Sequence, residues 1–248
     1  MEEKLCVSCE EPVIDKQPPC PLSCMSPKCK AYQNNRVINA RKKPIIWIIG
    51  GPGSGKSTQC EKIAKKYEFT HVSTGDVVRA EAASTSDRAK CLNTVLARGG
   101  LVPTDVVLDI VKDVMLKTMH NTKGFVIDGY PRDKNQGMAF ERTIALPSVI
   151  FYFEASPENL LKRLMARKDK SSRIDDTEET IKMRIQTFLL HVQDIRNEYK
   201  GKMTKINADA SPDEIFSQVS KIIDPIAENA KTANASSVHQ LPTSIELP

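Results

Sequence analysis

Aromatic residues make up only 5% of the 248-residue chain, with a single tryptophan, which leaves too few rings for a base-stacking platform. No run of about 18 apolar residues occurs, so no segment reads as a membrane span. The N-terminus, MEEKLCVSCEEP, opens acidic and lacks the apolar stretch of a secretory signal. It equally lacks the arginine-rich, acid-poor pattern of a mitochondrial transit peptide. Charge of one sign is not in large excess either. The 36 basic and 31 acidic residues leave a net +5, too mild for a dedicated polyanion binder, although local arginine clusters can still bind phosphate. The four histidines (His71, His120, His191, His239) are scattered and receive no role. These absences leave a soluble, cytoplasmic protein as the expectation, with neither nucleic acid nor membrane as partner.

What is present fits a globular enzyme-sized chain. Forty per cent hydrophobic residues suffice for a core, and the length allows one domain with extensions or two small ones. Of seven cysteines, five (Cys6, Cys9, Cys20, Cys24, Cys29) crowd into the first 30 residues, while Cys60 and Cys91 lie far along. An odd total without a signal segment argues against a disulfide framework. The early five could hold zinc, but their spacings match no standard ligand set and no histidine is near. Residues 1–43 therefore read as a Cys- and Pro-rich extension, 44–228 as one domain, and the small, polar stretch 229–248 as a disordered tail.

Within the domain, apolar runs at 45–49, 125–127, 149–153 and 203–207, with a weaker one at 69–73, alternate with helical patterns. The run IIWII is continuous, as a strand buried on both faces requires. Ser156-Pro157 and Ser211-Pro212 each place a capping oxygen before a proline at the first helical position, and Glu214 completes a capping box with Ser211. Asp176 with Glu179 reads as another such start, followed by Ile181, Ile185, Phe188, Leu189, Val192 and Ile195 on one helical face. Alternating strands and helices predict an α/β fold with a five-stranded parallel sheet covered on both sides.

Directly after the first apolar run stands Gly50-Gly51-Pro52-Gly53-Ser54-Gly55-Lys56-Ser57, a full match to G-x4-G-K-[ST] in the strand-to-helix context that the motif needs. Cys60, Ile63, Ala64 and Tyr67 then follow at helical spacing. Glycines let successive backbone N–H groups turn toward phosphate oxygens, and the helix N-terminus adds its positive end. Lys56 is placed to bridge the terminal phosphates and Ser57 to offer its hydroxyl to Mg2+. A nucleoside triphosphate site follows; a bare glycine-rich turn is the bland alternative.

Three further segments narrow the choice: STGDVVR from Ser73 to Arg79, IDGYPR ending at Arg132 with Gln136 beyond it, and R-x3-R-x5-R-x-DD from Arg163 to Asp176. With GGPGSGK, this ordered set resembles the adenylate kinases among the nucleoside monophosphate kinases, from about residue 44 to 224, and its short lid resembles the cytosolic short form. The resemblance implies the P-loop NTPase-type fold with a small helical monophosphate-binding insertion at about 73–102 and a lid at about 166–176. It implies reversible phosphoryl transfer from Mg-ATP to AMP giving two ADP, by a monomer. It also places Gly53, Ser54, Gly55, Lys56, Ser57 and Thr58 around the ATP phosphates, Arg167 over ATP, and Ala210 near its adenine. Arg79, Arg132, Arg173 and Arg184 would grip the monophosphate and the transferring group. Thr74, Gly100, Leu101, Val102, Gly129, Tyr130, Pro131 and Gln136 would hold AMP. No direct protein ligand to metal is implied: Asp128, near Ser57, would organise Mg2+ through water, or else merely cap a turn. Asp175 and Asp176 would latch the lid, whereas Arg163 reads equally well as a solvated helix face.

The chemistry agrees with that set. The acceptor is a phosphate oxygen already anionic at neutral pH, so no general base is required. The work is to bring two anions together in line and away from water, by positioning and charge neutralisation. Rigid, always-charged guanidinium forks suit it. Ser57, Lys168, Ser172 and Ala210 depart from the family pattern, which usually carries glycine at the first and last and often at the lid pair. Two other readings remain open at this level: a uridylate–cytidylate kinase, disfavoured by Thr74 and Gln136, and a catalytically weak nucleotide-binding module recruiting a partner through the Cys-rich end.

Overall fold

A computed structural model describes residues 43–86, 88–168 and 177–237. The five early cysteines, Arg173, Ser172, Asp175 and Asp176 lie outside the described residues. Five strands form one parallel sheet: β1 (Ile45–Gly50), β2 (Thr70–Ser73), β3 (Phe125–Asp128), β4 (Val149–Glu154) and β5 (Met203–Asn207), in the order β2-β3-β1-β4-β5. Among the described residues, eight α-helices connect and cover them: α1 (Lys56–Tyr67), α2 (Thr74–Ala82), α3 (Ala89–Ala97), α4 (Thr104–Thr118), α5 (Lys134–Thr143), α6 (Pro157–Lys168), α7 (Glu178–Glu198) and α8 (Pro212–Ser237). The expected α/β class and five-stranded parallel sheet are thus observed. Among the described residues, no helix is long and apolar enough to cross a membrane.

β1 shows why its sequence is apolar throughout. Ile45, Trp47 and Ile49 face a core shared with residues of α2 to α5 and α7, while Ile46 and Ile48 face a second core with Cys60 and Ile63 of α1 and Val219 and Ile223 of α8. Successive side chains point to opposite faces, so a strand covered twice needs no polar alternation. Trp47 is fully buried and meets Tyr130, Phe140 and Tyr199 edge to face, with ring centroids 5.8, 5.2 and 5.6 Å away. A third cluster, Leu160, Leu164, Ile181 and Ile185, joins α6 to α7.

The proline-led helix starts behave as their chemistry requires. Ser156 Oγ accepts from Asn159 N at 3.2 Å, and Ser211 exchanges bonds with Glu214 in both directions. Two details differ from the pattern reading. The cap of α7 is Thr177, whose Oγ1 accepts from Thr180 N at 3.2 Å, rather than Asp176. Leu189 is 46% exposed, because Ile181, Ile185, Val192 and Ile195 already define the buried row and Leu189 is turned away from it. α8 continues through Ser237, nine residues into the stretch beginning at 229.

Register sets the position of the site. Asp128, the last residue of β3, lies opposite both Ile48 of β1 and Ser73 of β2. The loops that follow β1, β2 and β3 therefore open on one edge, at the carboxyl ends of the strands, where open parallel sheets bind ligands.

Candidate active site

The loop after β1 is shaped by conformation at two glycines and by close packing at another. Gly53 and Gly55 both have φ +85°, a region that side chains rarely enter. At Gly51 the obstacle is steric: a Cβ would come within 2.3 Å of Leu160 Cδ1 on α6. The phosphate loop therefore packs between β1 and α6. Lys56, the first residue of α1, folds its ammonium back over the loop. It donates to the carbonyl oxygens of Gly50 at 2.9 Å and Gly51 at 2.8 Å, with Ser54 Oγ at 3.4 Å. Burial pulls Lys56 down to about 8, with Arg132 and Arg184 pushing the same way and Asp128 opposing them.

Asp128 is the anionic counterpart. It is 5% exposed, and its Oδ2 accepts from Ser57 Oγ at 2.5 Å. Burial pushes its carboxyl up, but His71, Lys56 and Ser57 together outweigh that effect and hold it below the ordinary carboxylate value. It is ionised at neutral pH. His71 Nε2 lies 3.6 Å from Asp128 Oδ2. A hard oxygen pair of this kind, one carboxylate and one hydroxyl, suits Mg2+ and its water shell.

Cations surround this pair. A cavity of about 320 Å3 is lined by Lys56, Ser57, Asp128, Arg79, Arg132, Arg163, Arg167 and Arg184, together with the phosphate loop and the 99–101 turn. The guanidinium ends of Arg79 and Arg132 converge over Gly75, where a methyl group would meet Arg79 Nη1 and Nη2 at 3.2 Å and Arg132 Nη2 at 3.4 Å. Arg79 is also paired with Asp76, one turn back. Among the described residues that line the cavity, five arginines and a lysine stand with one carboxylate, Asp128, in a part-closed space where charge interactions are stronger than in water.

A smaller cavity shares Gly75, Gly129 and Arg132 with the first and continues to Thr74, Val102, Tyr130 and Gln136. Its walls are locked by hydrogen bonds. Thr74 Oγ1 donates to the carbonyl of Asp128 at 2.8 Å, so the hydroxyl presents only lone pairs elsewhere. Asp133 caps α5 by accepting from Gln136 N at 2.9 Å, and Tyr130 donates to the Gln136 carbonyl at 2.6 Å. Gln136 Oε1 accepts from Arg132 N at 3.0 Å, which fixes the carboxamide orientation and leaves its NH2 near the Val102 carbonyl at 3.5 Å. The same glutamine that faces the small cavity thereby positions the backbone of Arg132 in the large one.

The comparisons with known proteins decide between families. A family model described as adenylate kinase matches residues 48–204. Adenylate kinase isoenzyme 1 of Rattus norvegicus is 47% identical over 188 residues, covering 75% of this chain and 97% of the relative. The chain belongs to the adenylate kinase family. Adenylate kinase 1 of Drosophila melanogaster is 46% identical over 210 residues, covering 84% of this chain and 91% of the relative. Isoenzyme 1 of Homo sapiens is likewise 46% identical over 188 residues, 75% of this chain and 97% of the relative.

Against the adenylate kinase pattern, the structure brings most of the expected residues together. Gly53, Gly55, Lys56, Ser57, Thr58, Arg79, Gly100, Leu101, Asp128, Gly129, Pro131, Arg132, Arg167 and Arg184 line the large cavity, and Thr74, Val102, Tyr130 and Gln136 the small one. Ser54 is instead buried beneath the loop, its Oγ facing Lys56. Ala210 lines neither cavity and packs against the second core. Arg173 lies outside the described residues.

Several contributors carried no distinctive sequence signal. Arg163 lines the cavity and donates to the Ala208 carbonyl at 2.9 Å, beside Asp209 at 3.5 Å, so it ties α6 to the loop after β5. Its place in the R-x3-R-x5-R series was the available clue. His71, which had no assigned role, sits against Asp128 only because β2 pairs with β3. Thr187 and Phe188 of α7 complete one wall.

Proposed function

We propose that the protein catalyses reversible transfer of the γ-phosphoryl group of Mg-ATP to AMP, giving two ADP, as a cytoplasmic monomer. The observation that carries this reading is the cationic cavity lined by the phosphate loop, with Thr74 and Gln136 lining a recess of about 10 Å3 beside it that must widen to take a base. An oxygen of the AMP phosphate attacks the γ-phosphorus as the bond from that phosphorus to the β-phosphate oxygen breaks, and ADP departs. The attacking oxygen carries no proton at neutral pH, consistent with a site that offers cations rather than a base.

Lys56 and the loop N–H groups hold the donor phosphates, with Arg167 above them. Arg79 and Arg132, converging over Gly75, grip the acceptor phosphate, and Arg184, with Arg173, stabilises the charge in transfer. Ser57 and, through water, Asp128 would hold the Mg2+ brought with ATP, which would supply positive charge to the phosphates. The NH2 of Gln136 and the carbonyl of Val102 form a donor–acceptor pair complementary to a ring nitrogen beside an amino group. Adenine presents that edge; uracil does not.

The test is ADP formation from Mg-ATP with AMP, CMP, UMP and GMP as separate acceptors. AMP is expected to be strongly preferred, and the CMP arm separates adenine from cytosine, which shares the edge pattern. Absence of turnover with every acceptor in a chain that binds ATP would overturn the reading. Sedimentation and cell fractionation check the monomer and its compartment.

A further inference from the structure

Three elements meet behind the phosphate loop, and phosphoryl transfer accounts for only one of the three side chains they bring together, Asp128. Cys60 on α1, His71 on β2 and Asp128 at the end of β3 each place one potential ligand atom so that all three lie within 4.8 Å of one another. Cys60 is fully buried. His71 Nε2 is shielded from solvent and lacks a hydrogen-bond partner, although it faces Asp128 Oδ2 at 3.6 Å. That separation is too long for a hydrogen bond. It is close to the roughly 3.4 Å edge spanned by two nitrogen or oxygen ligands on a tetrahedral ion with bonds of about 2.0–2.1 Å.

The geometry points to Cys60, His71 and Asp128 as a binding site for a single thiophilic divalent cation, with Zn2+ the type, whose occupation inhibits phosphoryl transfer. One sulfur, one imidazole nitrogen and one carboxylate oxygen form a mixed set that zinc accepts with a fourth position open, whereas Mg2+ takes oxygen ligands. On binding, the Cys60 thiol gives its proton to solvent and the thiolate forms the S–metal bond. His71 gives up the Nε2 proton that faces Asp128 and carries one on Nδ1 instead, so that the Nε2 lone pair binds the ion, and Asp128 supplies an oxygen. The ligand atoms, all within 4.8 Å of one another, must draw in to edges of about 3.5 Å to enclose a tetrahedral ion. His71, with its side chain a fifth exposed, is the route of entry.

The inhibitory consequence rests on the phosphoryl-transfer reading; the site itself does not. Asp128 is the carboxylate bonded to Ser57 at 2.5 Å. An ion on Asp128 neutralises a carboxylate that faces the cationic cavity and repels the Mg2+ that accompanies ATP.

The experiment uses the full chain with Cys6, Cys9, Cys20, Cys24, Cys29 and Cys91 replaced by serine, leaving Cys60 as the single thiol. Titration with Cd2+ should produce a thiolate-to-metal charge-transfer band that saturates at one ion per chain, and Zn2+ should displace it. Cys60→Ala should abolish the band. His71→Gln, at a part-exposed position that keeps the protein folded should Cys60→Ala unfold it, should weaken binding at least about 10-fold, the smallest loss typical of even an outer-shell partner. Zn2+ should inhibit ADP formation in the single-thiol chain and much less in His71→Gln. No band in the single-thiol chain, or a band unaffected by His71→Gln, overturns the site. A saturated site with undiminished ADP formation overturns the inhibition. A chain that makes no ADP at all fails the catalytic reading while the absorption titration still decides the site.

Discussion

Raising the pH should strip the proton from Lys56 in the folded protein well before it does so in the unfolded chain. Burial holds the Lys56 ammonium at about 8 against an ordinary 10.5, a gap of about 2.5 pH units. At about 1.4 kcal/mol per unit, keeping the charge in place costs the fold about 3 kcal/mol. The direction follows from proton counting. Below pH 8 both states hold the proton and the full cost applies. Between 8 and 10.5 the unfolded chain binds more protons than the folded one, so stability rises with pH; above 10.5 the gain levels off. Lys56→Met lacks the titrating group. The difference in unfolding free energy between the native chain and Lys56→Met should therefore swing toward the native chain by about 3 kcal/mol from pH 7 to 10.5. Urea unfolding followed through the fluorescence of Trp47, the single and fully buried tryptophan, measures both proteins in the same way. A difference that stays flat within about 1 kcal/mol would refute the argument that this lysine is held charged at a cost. The same protonation appears in catalysis: kcat/KM for ATP, which reports groups of the free enzyme, should fall as pH rises above about 8.

Substitutions at three positions probe the rest of the site and the core beside it. Arg132→Ala should lower kcat/KM for phosphoryl transfer by about 10³-fold or more with an unchanged fold, and Arg132→Lys should recover little, because an ammonium lacks the two-pronged fork; a mild loss in the folded alanine variant would move the phosphate contact elsewhere. Gln136→Ala leaves the Arg132 N–H without its 3.0 Å acceptor. It should cost about 1–3 kcal/mol in unfolding free energy and raise KM for AMP more than KM for ATP; equal changes in the two KM values would contradict its place at the acceptor end. Gly137→Ala would put a methyl 2.5 Å from Tyr199 Oη and 3.0 Å from its ring, inside the cluster around Trp47. Thermal or urea unfolding should show a loss of about 1–3 kcal/mol, and an unaffected stability would mean that the cluster yields more readily than its packing implies.

Much of the fold and the phosphate loop was legible because the chemistry involved is local. A continuous apolar run followed by GGPGSGK states both that the strand is covered twice and that the chain must turn with glycine backbone, and β1 and α1 take that form. Serine before proline marks α6 and α8 for the same reason: a cap is formed by neighbours in the chain. Legibility fails where neighbours compete or where contacts are remote. Thr177 displaces Asp176 as the α7 cap because several residues nearby can supply a capping oxygen, and composition alone does not choose among them. Leu189 looks like part of the apolar row, yet the row is defined by what α7 faces.

By itself, then, the order of motifs determined the class of fold, the presence of a triphosphate loop and the wealth of arginines suited to two phosphates, since each depends on residues a few positions apart. The tertiary structure alone decided which groups act together. The sheet order β2-β3-β1 sets His71 against Asp128 and Cys60, the approach of α6 sets Leu160 against Gly51, and the turn into α5 commits the Gln136 side-chain oxygen to Arg132. Parallel strands carry no local mark of their neighbours, because their pairing is fixed by which helices can cover both faces at once; the partners of a side chain at their ends are known only when the sheet has formed.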